Sequence, residues 1–296
     1  MAYNSVVLVK QVPDTANITG RAMTETGTVN RSALPAIFNP EDLNALEMAL
    51  QVKDRHGGRV TVLTMGPPRA AEVLRAALYR GADEVVLLSD RKFAGSDTLA
   101  TSYALKCAVE RAGDFDLIFC GRQAIDGDTA QVGPQVAEKL GVPQITYAEA
   151  ILSLEDGTIV VERALPLGRE TVQCVLPCLL TVVGAANHPR PPSVRKALAQ
   201  KLAATPLEYE ALLDQWPEFG SREALDAYLA GQGLRIPVWT AADIGAEDDR
   251  IGLSGSPTKV LKVNYVVLRA SESKMIGESE EAIADLMQEL VADYIL

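Results

Sequence analysis

Residues 115–141 read FDLIFCGRQAIDGDTAQVGPQVAEKLG: an apolar run, a polar loop dotted with glycine, then a helical pattern. Leu117, Ile118 and Phe119 follow one another without a polar residue between them, as in a strand covered by helices on both faces. Upstream the same unit repeats. SVVLVK (5–10), RVTVLTMG (59–66) and DEVVLLSD (83–90) are short β-branched runs. Between and after them lie the helical patterns NPEDLNALEMALQVKDRHGG (39–58), PPRAAEVLRAALYRGA (67–82) and SDTLATSYALKCAVERAG (96–113). Strict alternation of strand and helix predicts an α/β fold with a doubly wound, mainly parallel sheet. In the first helix Leu43, Leu46 and Leu50, with Ala45 and Ala49, recur at three- and four-residue intervals; Asn39 is placed as N-cap and Pro40 at the first helical position.

The pattern changes after Gly141. AILSLEDGTIVVERAL (150–165) turns at Asp156-Gly157 and reads as an antiparallel β-hairpin, with RETVQCVLPCLLTVVG (169–184) as a return strand. AANHPRPPSVRKALAQK (185–201) is a proline-rich surface loop leading into a helix, and the acidic stretch 205–233 predicts two short helices split by Pro217 and Gly220. The tail predicts one more helix with Ile283, Leu286, Leu290 and Tyr294 on one face, which needs something to dock on. The chain thus divides into an α/β domain over 1–198, an acidic helical insertion over 199–237 and a C-terminal arm and helix over 238–296.

Composition narrows the function. At 296 residues with 48% hydrophobic and 23% charged side chains, the chain has material for a true core. A net charge of -11 repels phosphate backbones, so nucleic acid is not expected as a partner. The run Val6 to Val9 is followed, not preceded, by Lys10, and reads as a first strand rather than a signal peptide; no stretch has the length of a membrane span. A soluble, cytoplasmic protein is expected. Cys107, Cys120, Cys174 and Cys178 lie in apolar segments without metal or redox spacing and read as buried thiols.

In a doubly wound sheet, ligands sit outside the carboxyl ends of the strands. The loop 121–131 is the richest candidate: Thr129 is placed to cap a helix starting at about Ala130, and the backbone N–H groups of residues 128 to 132 converge on an anion such as a phosphate. There is no G-x-x-x-x-G-K-[ST], and no G-x-G-x-x-G follows the first strand. With only His56 and His188, histidine-based catalysis and metal binding have little to work with, and Asp126 and Asp128 read as turn chemistry rather than a metal pair.

Four longer motifs carry a family resemblance. VLVKQVPD, NPEDLNALEMAL, TMGPPRAAEVLRAALYRGAD and GRQAIDGDTAQVGPQVAEKLGVPQITY, in this order and spacing over about residues 5 to 196, resemble the beta subunit of electron transfer flavoprotein; WTAADIGAEDDRIGLSGSPTKVLKV resumes the match at Trp239. The resemblance implies an adenine-nucleotide-binding type of α/β sheet and a heterodimer with an alpha subunit that carries its own FAD. It also implies a nucleotide crevice formed by Leu8, Val9, Lys10, Asn39, Pro40, Glu41, Asp42, Met65, Gly66, Gly121, Arg122, Gln123, Ala124, Ile125, Asp126, Gly127, Asp128, Thr129, Ala130, Gln131 and Val132. Leu8 and Met65 are then expected against adenine, Asp42 on a ribose hydroxyl, and Thr129 and Gln131 beside phosphate.

The crevice holds structural AMP in housekeeping members and a second FAD in electron-bifurcating ones. The wording DGDTAQVGP (126–134) resembles the bifurcating members, and Gly127 and Ala130 allow close backbone approach to a pyrophosphate. FAD is therefore expected, with AMP as the alternative. That implies electrons entering from NADH and dividing between a low-potential acceptor, ferredoxin or flavodoxin, and an acyl-CoA dehydrogenase-like flavoprotein. Pro189, Arg190 and Val194 match the family's dehydrogenase-recognition loop, Val194 as apolar anchor. Pro191, Pro192 and the segment Thr205 to Arg235 depart from the family pattern. The competing class is a non-redox adenine-nucleotide-binding module, which needs neither recognition loop nor docking tail.

Overall fold

The computed structural model describes residues 1–14, 35–258 and 274–292. Its centre is a nine-stranded sheet in the order β11-β5-β4-β1-β6-β10-β7-β8-β9. The strands are β1 (Ser5–Leu8), β4 (Val60–Met65), β5 (Glu84–Leu88), β6 (Leu117–Gly121), β7 (Gln144–Glu155), β8 (Thr158–Leu165), β9 (Gly168–Val175), β10 (Cys178–Val182) and β11 (Val238–Trp239). Every pairing from β11 across to β7 is parallel, and β8 and β9 are added antiparallel. A small antiparallel ladder, β2 (Gln11–Pro13) with β3 (Ala36–Phe38), stands apart from it.

Two helical layers cover the parallel strands because successive side chains point to opposite faces. From β1 and the residue after it, Val7 and Val9 join Leu46, Leu50 and Leu74 of α1 (Pro40–His56) and α2 (Ala71–Arg80); Val6 and Leu8 join Tyr103, Ala104 and Val136 of α3 (Thr98–Ala112) and α4 (Val132–Leu140). Strand runs without polar alternation thus fill both faces at once. Asp156 and Gly157 sit at φ 49° and 73°, the left-handed pair that a tight hairpin turn between β7 and β8 requires. The expected hairpin is one strand longer: 168–175 turns back along β8, and only 178–182 enters the parallel sheet.

After α5 (Val194–Gln200) come α6 (Tyr209–Gln215) and α7 (Arg222–Gly231). Their segment supplies Ala203, Ala204, Tyr209, Leu225, Leu229, Leu234 and Ile236 to the main core cluster. Arg75 of α2 donates to Glu208 Oε1 at 3.0 Å and to the Ala203 carbonyl at 3.2 Å. The segment is welded to α2 and carries the chain to β11 beside β5, a two-residue strand with no periodicity for a sequence reading to detect. Residues 240–258 then cross the opposite face, where Ala241, Ile244 and Ile251 pack and Arg250 lies 3.8 Å from the Tyr103 ring centroid.

α8 (Glu280–Ala292) has no buried residue. Ile283 and Met287 are exposed, with Leu286 and Leu290 half-buried on the same stripe; Tyr294, expected on this face, lies outside the described residues. Cys107, Cys120 and Cys178 are buried as expected, but Cys174 is only partly covered, because it sits on the edge strand β9. No helix among the described residues is long and apolar enough to cross a membrane.

Candidate functional site

The chain winds from β1 outward through β4 to β5, then returns to β6 on the other side of β1. The carboxyl ends of β1 and β6 are therefore the point where the winding reverses and a crevice opens. Lys10 follows one strand and Gly121 ends the other. Asp42, in the first turn of α1, spans them: Lys10 N–H donates to Oδ2 at 2.8 Å and Gly121 N–H donates to Oδ1 at 2.9 Å. Gly121 allows the approach, since an added Cβ would lie 2.5 Å from Asp42 Oδ1 and 2.8 Å from the Asp42 backbone nitrogen. Asp42 is 6% exposed, so its oxygens serve the backbone rather than the ribose contact expected of it. Burial pushes its carboxyl up from 3.8 to about 7, against the pull of the Asn39, Lys10 and Gly121 donors.

The loop 121–131 is lashed to the start of α1. Asn39 stands at the N-cap position, but its side chain makes no capping bond. Its amide instead donates to the Gln123 carbonyl at 2.9 Å, and Ile125 N–H donates to its oxygen at 3.1 Å. Glu41 holds the Arg122 guanidinium at 3.0 Å and accepts from Gln123 N–H at 3.1 Å. Lys10 Nζ reaches both Asp126 oxygens at 2.8 and 2.9 Å, a bridge from the end of β1 to the loop. Gln123 donates to Asp128 Oδ1 at 3.1 Å.

Beyond this root the backbone turns. Asp128 and Ala130 have φ of 49° and 51°, conformations that a β-carbon disfavours. Helix α4 starts at Val132, later than expected, and Thr129 does not cap it; Gln131 occupies the N-cap position at φ -104°, ψ -28°. Asp128 N–H is taken by the Ala124 carbonyl at 2.9 Å, but the N–H groups of Thr129 to Val132 donate to no backbone carbonyl among the described residues. A left-handed residue followed by a right-handed one turns successive N–H groups to one side, and a helix N-terminus continues the set. The arrangement receives an anion through backbone alone. Gly127, Asp128 and Thr129 are exposed, and an added Cβ on Gly127 would meet nothing within 4 Å.

Other expected residues are placed unequally. Leu8 and Val9 are buried in opposite core clusters, while Met65 and Gly66 are half-buried at the end of β4. Pro189, Arg190 and Val194 lie away from the loop. Arg190 grips α1, with Nε 2.8 Å from Glu47 and an Nη 2.8 Å from Asp54, while Val194 is 75% exposed on α5. The sequence reading missed Asn44 and Glu47, which are buried on α1 along with Asp42, with Asn44 donating to the Asn187 carbonyl at 2.7 Å. It also missed Tyr147, whose φ of 59° is left-handed and whose ring centroid lies 5.6 Å from the Arg122 guanidinium. Its only local signal was its place just after the loop-bearing helix.

A parallel sheet with helices on both faces and an anion-receptive loop at its reversal point defines a doubly wound α/β protein. Residues 26–207 match the family model described as the electron transfer flavoprotein domain. The chain is 45% identical over 289 residues to Protein FixA of Azorhizobium caulinodans, covering 95% of this chain and 91% of that one. It is 39% identical over 293 residues to the electron transfer flavoprotein subunit beta of Thermoanaerobacterium thermosaccharolyticum, covering 99% and 100%. It is also 42% identical over 258 residues to the caffeyl-CoA reductase-Etf complex subunit CarD of Acetobacterium woodii, covering 87% and 86%. The chain belongs to the electron transfer flavoprotein family, as a beta-subunit member.

Proposed function

We propose that this chain is the beta subunit of a cytoplasmic heterodimeric electron transfer flavoprotein whose crevice holds FAD by its ADP half. The observation that carries the reading is the set of N–H groups from Thr129 to Val132, which have no backbone acceptor among the described residues, raised on a loop that Asn39, Glu41 and Lys10 fix at three points. The group fits: a pyrophosphate meets donors that need no basic side chain, and open space beside Gly127 admits it. Bound there, FAD supplies hydride acceptance from NADH and division of the electron pair between a low-potential ferredoxin or flavodoxin and, through the FAD of the alpha subunit, an acyl-CoA dehydrogenase-like flavoprotein. The chain's own residues bind and orient. The relative named as part of a caffeyl-CoA reductase complex supports a dehydrogenase-type partner. AMP is the alternative occupant, and counting FAD and AMP in the purified heterodimer separates the two.

Two surfaces serve partners in this reading. Val194 and Leu198, one turn apart on α5 and 75% and 64% exposed, form the dehydrogenase anchor on a loop that Arg190 fastens to α1. The stripe Ile283, Leu286, Met287 and Leu290 docks on the alpha subunit, since an isolated helix of this length is marginal in water. Deleting residues 278–296 is expected to weaken the heterodimer by at least several hundredfold, as four apolar side chains at about 1 kcal/mol or more each would leave the interface. Unchanged co-purification with the alpha subunit and an unchanged dissociation constant would remove the tail from the interface.

A further inference from the structure

A relay of side chains runs from inside α3 to the rim of the anion-receptive loop. Ser102, fully buried, has its hydroxyl beside two acceptors, the Leu99 carbonyl at 2.9 Å and Gln135 Oε1 at 3.0 Å, and with Gln135 Oε1 facing it the proton goes to Gln135. With the Gln135 carbonyl turned toward Ser102, its amide nitrogen faces Thr98 and donates to Oγ1 at 3.5 Å. The Thr98 hydroxyl therefore receives on one side and donates on the other, to Gln131 Oε1 at 2.9 Å. A hydroxyl has one proton, so a donor arriving from Gln135 leaves Thr98 with a fixed direction. Gln131 then has its carbonyl engaged, and its –NH2 donates to nothing among the described residues.

We propose that Thr98 is a positioning residue of the anion site: it fixes the Gln131 amide so that its –NH2 faces the ligand's phosphate beside the backbone N–H groups of Thr129 to Val132. The inference rests on the nucleotide reading of the crevice and adds to it a residue on a different helix, 33 positions away in sequence. Without Thr98 the amide of Gln131, exposed and carried by the N-cap residue of α4, is free to rotate and to present its oxygen, which repels phosphate. The same corner ties down the root of the C-terminal arm, because Asp97 caps α3 with one oxygen and accepts from Thr258 N–H and Oγ1 with the other, at 3.1 and 2.8 Å.

The test is calorimetric binding of ADP and of adenosine to the full chain, with Thr98→Val, Thr98→Ser and Gln131→Ala. Loss of one neutral hydrogen bond predicts that T98V weakens ADP about fivefold. Adenosine, which lacks the phosphates, is expected to bind T98V as it binds wild type. T98S keeps the hydroxyl and restores ADP affinity, and adding T98V to Q131A has no further effect. Equal weakening of ADP and adenosine in T98V means that Thr98 acts only on packing and overturns the proposal, as does an unchanged ADP affinity. Should T98V not fold, Gln135→Ala, which frees the Thr98 hydroxyl, must weaken ADP more than adenosine, and equal effects overturn the proposal. A wild type that binds neither probe refutes the nucleotide reading itself.

Discussion

Asp42→Ala is expected to be among the most damaging single substitutions in this chain, lowering stability by about 2–5 kcal/mol and releasing bound nucleotide. The reason is local. The carboxylate accepts from the Lys10 and Gly121 N–H groups at the two strand ends that bound the crevice. Two buried donors left without a partner cost about 1–3 kcal/mol each. Asp42→Asn keeps one acceptor but turns an –NH2 toward a donor, so roughly half the loss is expected. The pH dependence has a definite sign. Burial raises the folded carboxyl from 3.8 to about 7, so the folded state holds the extra proton between these values. The contribution of Asp42 is therefore full below the unfolded value and falls as pH rises to about 7. Urea unfolding at about pH 5.5 and about pH 8 should show a wider gap between wild type and D42A at the lower pH; a gap that widens with pH would contradict this assignment.

Arg190→Ala is the second large effect, at about 2–4 kcal/mol. Glu47 has a side chain 7% exposed and accepts from Arg190 at Nε, Nη2 and the backbone N–H, at 2.8, 3.1 and 3.0 Å. Burial alone raises the Glu47 carboxyl, but the Arg190 donors, with Gln51, outweigh it and hold the group below its usual value of 4.5. This carboxylate therefore contributes stability above the unfolded value and loses it as pH falls through the folded one, opposite in sign to Asp42. The gap between wild type and R190A should close on acidification, and a gap independent of pH would show that the ion pair is not its source. Because Arg190 also fastens the loop that carries Val194, R190A is expected to weaken dehydrogenase docking along with stability.

The parallel strands and α1 were legible because their signals are local. Unbroken apolar runs announce strands buried on both faces, and Pro40 after Asn39 announces a helix start. The Asp156-Gly157 turn was legible for the same reason, since both residues tolerate the left-handed backbone that the turn needs. The site was legible in position but not in wiring. Asn39 and Thr129 both have cap chemistry, yet Asn39 gives its amide to the loop, and Thr129 precedes a left-handed Ala130 that delays the helix. Asp42, Asn44 and Glu47 look like the solvent side of an amphipathic helix. They are buried because two segments distant in sequence, the end of β6 and the proline-rich loop at 185–193, fold onto α1, and periodicity along one helix carries no information about such partners. The segment 205–235 reads as an acidic helical insertion, and its acids give no sign that Tyr209, Leu225 and Leu229 are buried in the main core.

On the proposed function, the loop from Gly121 to Gln131 cradles a working flavin. The most direct test is to co-purify the chain with its alpha subunit, denature the complex, and quantify the FAD and AMP released per heterodimer. Two FAD with no AMP is the predicted result. One FAD with one AMP would contradict it, making the crevice a structural nucleotide site and this chain a scaffold for the flavin of its partner.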